Sequence, residues 1–100
     1  MVTTELTIEE LSEIVGIIAA EYGMRRVYLF GSRARGDNRS DSDYDFCVLT
    51  DDGCTLFTLG GFFSDLKDAL GAEIDVVCED AIKGDFREEI LRDRILLYET

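Results

Sequence analysis

Apolar residues recur along this chain with two periods. Ile8, Leu11, Ile14, Val15, Ile18 and Ala19 step by threes and fours, which predicts an amphipathic helix over about 7–22. Thr7 followed three residues later by Glu10 is a capping-box pattern at its start, and Gly23 is a stop at its end. Val27–Phe30 is a β-rich run that predicts a short buried strand ending at Gly31-Ser32. Residues 36–42 are turn formers. From Asp43 to Thr50 a second strand is expected. It would set Tyr44, Phe46 and Val48 on one face and Asp43, Asp45, Cys47 and Leu49 on the other.

After a loop around Asp51–Gly53, a helix starts at either Leu56 or Gly61 and ends at Leu70, since Gly60-Gly61 can break or kink it. Glu73–Cys78 predicts a third strand, residues near Asp85–Asp93 a short helix, and Ile95–Tyr98 a last strand. The Arg-rich loop after Gly31 has room for one hidden helical turn. The alternation of helix and strand predicts an α/β (α+β) fold, a small mixed β-sheet of about four strands with helices packed on it. No linker or internal repeat divides residues 1–100, so one domain is expected.

Composition narrows the chemistry. The 100 residues carry 22 acids and 10 bases, a formal net charge of −12, with no His, no Pro and no Trp. Without His there is no imidazole base and no zinc site built on imidazole. The acidic balance argues against direct nucleic-acid binding and against an anionic membrane surface. The hydrophobic share of 46% is that of a globular chain. Cys47, Cys54 and Cys78 form no CxxC pair, so a reducing, cytoplasmic setting is expected, with Cys47 and Cys78 in the core. No basic-apolar leader pattern and no run of about 20 apolar residues is visible.

The charge is unevenly placed. Residues 1–24 hold five acids and no base. Arg25, Arg26, Arg33, Arg35 and Arg39 then follow, and after them Asp41, Asp43 and Asp45. A strand ending in Gly31-Ser32 and opening onto a helical turn offers free backbone N–H groups, and the missing Cβ at Gly31 lets a phosphate approach. Asp43 and Asp45, two apart, project to one face of a strand that continues Phe46-Cys-Val-Leu49. Two carboxylates on an apolar strand repel each other and are costly to desolvate, and a divalent metal with hard-oxygen preference, Mg²⁺ or Mn²⁺, offsets that cost. Asp75 lies inside another β-branched run, Ile74-Asp-Val-Val77. If its strand neighbours the second, three carboxylates face one point, a layout suited to two-metal phosphoryl transfer. The competing readings are a salt-bridged surface loop for the arginines and a strand-edge acid for Asp75. Asp41 is expected to face solvent or cap a turn.

The string Leu29-Phe-Gly-Ser-Arg-Ala-Arg-Gly36, with Asp43-Tyr-Asp45 separated from Ser32 by ten residues and Ile74-Asp75-Val76 later, resembles the minimal nucleotidyltransferases. These belong to the superfamily with the DNA-polymerase-beta-like palm, and the likeness covers about residues 8–99. The resemblance implies that Gly31 and Ser32 hold the triphosphate of a nucleoside triphosphate. It implies that Asp43 and Asp45 ligate two Mg²⁺ ions and that Asp75 ligates the nucleophile-side metal and helps deprotonate the acceptor. Arg33 and Arg35 are placed to touch phosphates, or, for Arg33, to pair with an acid on a neighbouring element. The implied reaction is attack of a hydroxyl on the α-phosphorus of ATP with loss of pyrophosphate.

In relatives of this size the implied partner is an all-helical HEPN-family protein, an RNase toxin whose tyrosine is adenylylated by its antitoxin. Two other readings share the chain. One is a small-molecule (aminoglycoside-like) nucleotidyltransferase subunit working with a helical partner. The other is a non-catalytic module that neutralises its partner by binding alone, which the intact set of three costly carboxylates disfavours.

Overall fold

The computed structural model describes residues 5–100. Helix α1 (Ile8–Glu21) opens on the expected capping box: Thr7 Oγ1 accepts from Glu10 N at 3.1 Å, and Thr7 N donates to Glu10 Oε1 at 2.8 Å. It buries Leu11, Val15, Ile18 and Ala19, the expected stripe. Strand β1 (Met24–Phe30) is three residues longer than the sequence pattern suggests. Its Arg pair hides the first part, where Arg25 meets Asp51 at 3.5 Å and Arg26 meets Glu99 at 2.9 Å across neighbouring chain segments. Polar side chains there stay outside while Met24 is buried. One helical turn, α2 (Ser32–Arg35), follows.

Strand β2 (Tyr44–Thr50) leads to α3 (Leu56–Leu70), β3 (Ile74–Cys78), a 3-10 turn at Glu79–Ala81 that the sequence pattern did not indicate, α4 (Gly84–Asp93) and β4 (Ile95–Glu99). The α3 start is the earlier of the two expected. Thr55 Oγ1 caps it by accepting from Thr58 N at 3.2 Å, and the helix runs straight through Gly60-Gly61. Gly61 has a packing reason. A Cβ there would stand 2.7 Å from the ring of Tyr22, whose hydroxyl donates to Asp65 Oδ2 on α3 at 2.6 Å. Tyr22 thereby ties the end of α1 to α3, and its phenol is pushed up to about 12 by that hydrogen bond first and by burial second.

The sheet order is β3-β2-β1-β4. β1 runs antiparallel to β2 and β4, and β2 runs parallel to β3, with α3 as the crossover a parallel pair requires. Opposite Val27 and Tyr28, β4 carries Leu97 as an extra residue, and this bulged residue is buried.

Alternation divides the sheet into two unequal faces. On one, α1 and α3 cover Val27, Leu29, Tyr44, Phe46, Val48 and Ile74, with Phe62 and Leu66 fully buried above them. On the other lies a small cluster of Phe30, Cys47, Ile82 and Ile90. Cys47 is a buried core residue and Cys78 packs partly buried against the main core. Burial raises both thiols above their ordinary values. Among the described residues no helix is long and apolar enough to cross a membrane.

Candidate active site

The thinner face carries the polar chemistry, and the sheet register explains why. Phe30, the last residue of β1, pairs with Asp45 of β2, and Asp45 pairs directly with Asp75 of β3. Neighbouring strands lie about 4.7–4.9 Å apart, so these three residues form one row across the sheet. Because β2 and β3 run parallel with Asp45 opposite Asp75, both carboxylates project from the same face. The flanking Tyr44, Phe46, Ile74 and Val76 pack towards the opposite core. The sequence condition that brings Asp75 to Asp45 is therefore met. Asp43 stands two residues before Asp45, just outside β2.

Burial corrects the picture of carboxylates sunk in an apolar sheet. Asp43 and Asp75 are exposed, and Asp45 alone is partly buried. Its carboxyl is pushed up to about 6, by burial first, then by the charges of Asp75 and Asp43, with Arg35 pulling the other way. Asp41 is exposed, as expected.

Gly31 joins β1 to α2 with φ 78° and ψ −156°, a backbone region essentially reserved for glycine. A Cβ there would lie 2.3 Å from Asp45 Oδ2. The side of Gly31 that lacks a side chain is thus filled by the Asp45 carboxylate. Gly31, Ser32, Arg35, Asp45, Asp75 and Glu89 form the polar wall of a cavity of about 520 Å³. Its apolar wall is Phe30, Val76, Val77, Phe86 and Ile90.

The two arginines of α2 part company. Arg35 lines the cavity and is held at 3.1 Å from Asp37 and 3.8 Å from Asp93. Arg33 does not line it. Its Nε donates to the Ser42 carbonyl at 3.0 Å, and its Nη2 to the Ser42 and Ser40 carbonyls at 2.8 and 3.2 Å. Its Nη1 lies 3.4 Å from Glu5, and its guanidinium stacks 4.0 Å over the Tyr44 ring. The expectation that Arg33 touches a phosphate is corrected: its donors are spent on holding the 36–42 loop, and the alternative of an acid on a neighbouring element holds through Glu5.

Two lining residues escaped sequence reasoning. Phe86 and Glu89 are three apart on α4 and share its cavity-facing side with Ile90. The one available signal was the i, i+4 pair of Phe86 and Ile90 in an otherwise polar helix.

A divalent ion fits this donor set. Asp45 and Asp75 supply hard carboxylate oxygens, and the raised Asp45 carboxyl records burial first and like-charge repulsion second, both of which a cation would offset. Among the described residues no three such side chains converge into a closed cage. Mg²⁺ is commonly held by one or two carboxylates together with water and substrate phosphates.

Comparison with known proteins gives a consistent result. The family described as "Polymerase beta, Nucleotidyltransferase" matches residues 12–100. A Methanocaldococcus jannaschii protein provisionally called a protein adenylyltransferase is 32% identical over 91 residues, covering 91% of this chain and 92% of that protein. A solved structure provisionally described as a minimal nucleotidyltransferase superposes with a TM-score of 0.78 at 35% identity, covering 93% of this chain and 98% of that one. A chain from the tri-AMPylated Shewanella oneidensis HEPN toxin in complex with MNT antitoxin superposes with a TM-score of 0.67. At 20% identity, over 92% of this chain and 73% of that one, that likeness speaks to the fold.

Proposed function

This chain belongs to the polymerase beta nucleotidyltransferase family, and from that premise we propose that it is a protein adenylyltransferase antitoxin. In this reading residues 1–100 act as one minimal domain that transfers AMP from ATP to a tyrosine hydroxyl of a HEPN-family RNase toxin. The observation that carries the reading is the placement of Asp45 and Asp75 in direct register beside Gly31-Ser32. The adenylyltransferase name of a relative 32% identical supports the donor, and the AMPylated HEPN toxin in a complex of the same fold supports the acceptor.

Asp43, Asp45 and Asp75 would hold the two Mg²⁺ ions. When bound, these supply neutralisation of the charge on the triphosphate and on departing pyrophosphate. Gly31 and Ser32 bring backbone to the phosphates at the cavity wall, and Arg35 adds a positive charge there. The acceptor oxygen forms its bond to the α-phosphorus as the bond from that phosphorus to the β-bridging oxygen breaks. The hydroxyl proton passes to a carboxylate, for which Asp75, exposed at the mouth, is best placed. A chain without His leaves that proton to a carboxylate or to an acceptor whose acidity a bound metal would raise.

The test is incubation with ATP, Mg²⁺ and the HEPN-family partner, followed by intact-mass measurement of the partner. Mass gains of AMP that vanish in Asp43→Asn and Asp45→Asn support the reading. Partner neutralisation by both variants as by wild type, with no adduct on the partner, would replace it with neutralisation by binding alone.

A further inference from the structure

We propose that Phe86 is the stacking platform for the nucleobase of the donor. The proposal rests on the nucleotidyl-transfer reading and extends it to the part of the donor that the carboxylates and Gly31-Ser32 leave unaddressed.

The cavity is two-sided. Its polar wall carries Asp45, Asp75, Gly31 and Ser32, groups suited to phosphates and their counter-ions. The facing wall is apolar, and a triphosphate has no use for it. A nucleotide does, because its base presents a flat face that gains from burial against an aromatic ring. Exposure of a single Phe on a helix surface would by itself mean nothing. Phe86 differs because it lines the same cavity as the acid row while remaining 47% exposed.

Its ring is also oriented. It meets Phe30 edge-on, with centroids 6.0 Å apart and planes at 78°. Phe30 is itself 8% exposed, sits directly before Gly31 and pairs with Asp45. Phe86 is thereby fixed at the side of the phosphate end of the cavity, braced by a buried ring and open to a ligand. Stacking tolerates differences in hydrogen-bonding edges, because every base presents a π-face.

The chain has no Trp, so Phe86→Trp introduces a single indole that reports directly on stacking. With Mg²⁺ present, ATP is expected to quench its fluorescence and inorganic tripolyphosphate to leave it unchanged. Phe86→Ala should weaken ATP about 5- to 150-fold, the range of one lost base–aromatic stack, and leave tripolyphosphate affinity as in wild type. Phe86→Trp should restore ATP affinity. A merely structural role for Phe86 predicts equal losses for both ligands and a lowered melting temperature. That result, or an Ala variant that binds ATP as wild type does, overturns the platform while leaving nucleotidyl transfer standing. A wild-type protein that binds neither ATP nor tripolyphosphate overturns the transfer reading, and the platform with it.

Discussion

Replacing Asp45 by Asn should stabilise the metal-free protein while removing its activity. The carboxyl of Asp45 is raised from 3.8 to about 6 in the folded state, because burial and the charges of Asp75 and Asp43 disfavour ionisation. A raised acid binds its proton more tightly in the folded chain than in the unfolded one. Its contribution to stability is present in full below the unfolded value near 3.8 and is lost as pH rises through about 6. At pH 8 the folded wild type therefore carries an unfavourable charge. Two units at about 1.36 kcal/mol each set a ceiling of about 3 kcal/mol. The group is only partly buried, and solvent screening cuts that to roughly 1–1.5 kcal/mol. For a domain of this size this is about 4–12 °C in melting temperature.

The assay is a pair of thermal melts, wild type and Asp45→Asn, in EDTA at pH 8 and again near pH 4. The variant should melt higher at pH 8, and the gap should close at pH 4, where wild-type Asp45 is already largely protonated. Only the difference between the two proteins matters, since other carboxylates titrate equally in both. A variant no more stable than wild type at pH 8, or a gap that persists at pH 4, refutes the reasoning. Adding Mg²⁺ and ATP at pH 8 should reverse the order, because ligand stabilises only the protein that binds it.

The two arginines of α2 should separate stability from binding. Arg33→Ala is expected to cost about 2 kcal/mol in thermal or urea unfolding, because it strips charge-assisted hydrogen bonds from the Ser40 and Ser42 carbonyls and uncovers Tyr44. Arg33→Lys should not rescue it, since an ammonium lacks the fork that reaches both carbonyls. Arg35→Ala should leave the melting temperature unchanged and weaken ATP binding in a titration. The adjacent glycines of α3 should behave oppositely in the same melts. Gly60→Ala, with nothing within 4 Å of the new methyl, should gain about 0.5–1 kcal/mol from helix propensity. Gly61→Ala should lose about 1–2 kcal/mol, because its methyl collides with the Tyr22 ring.

Where local pattern and tertiary demand agree, the chain announces its structure. The α1 stripe, its capping box and the alternation of β2 are read directly from spacing, because one buried face imposes each period. The Asp43–Asp45 pair and the Gly31-Ser32 turn were legible for the same reason. What was hidden depends on partners distant in sequence. The first three residues of β1 look polar because Arg25 and Arg26 find Asp51 and Glu99 only after folding. Gly61 looks like a helix breaker until Tyr22 arrives from α1. Arg33 and Arg35 are two residues apart and chemically alike, yet one faces the 36–42 loop and the other the cavity. No local rule assigns Phe86 to the site, since its neighbour Phe30 lies 56 positions earlier.

The two faces of the sheet explain why such a small chain can hold a costly site. The face under α1 and α3 contains nearly all the fully buried large side chains, Phe46, Phe62, Leu11, Met24, Leu29 and Leu66 among them. Among the described residues the other face buries Phe30, Cys47, Ile82 and Ile90, and Ile90 is the one buried residue of α4, with Phe86 beside it against Phe30. The repulsion at Asp45 falls on that thinner face, at the sheet's end. Since i and i+1 of a strand point to opposite faces, each acid is one residue from a core side chain: Asp45 from Tyr44 and Phe46, Asp75 from Ile74 and Val76. The same alternation that builds the core therefore fixes the height and direction of the carboxylates. A one-residue slip of β3 against β2 would bury Asp75 in the main core and expose Ile74 and Val76. Such a slip is strongly disfavoured, so the register that makes the candidate site is held by the hydrophobic effect acting on the opposite face.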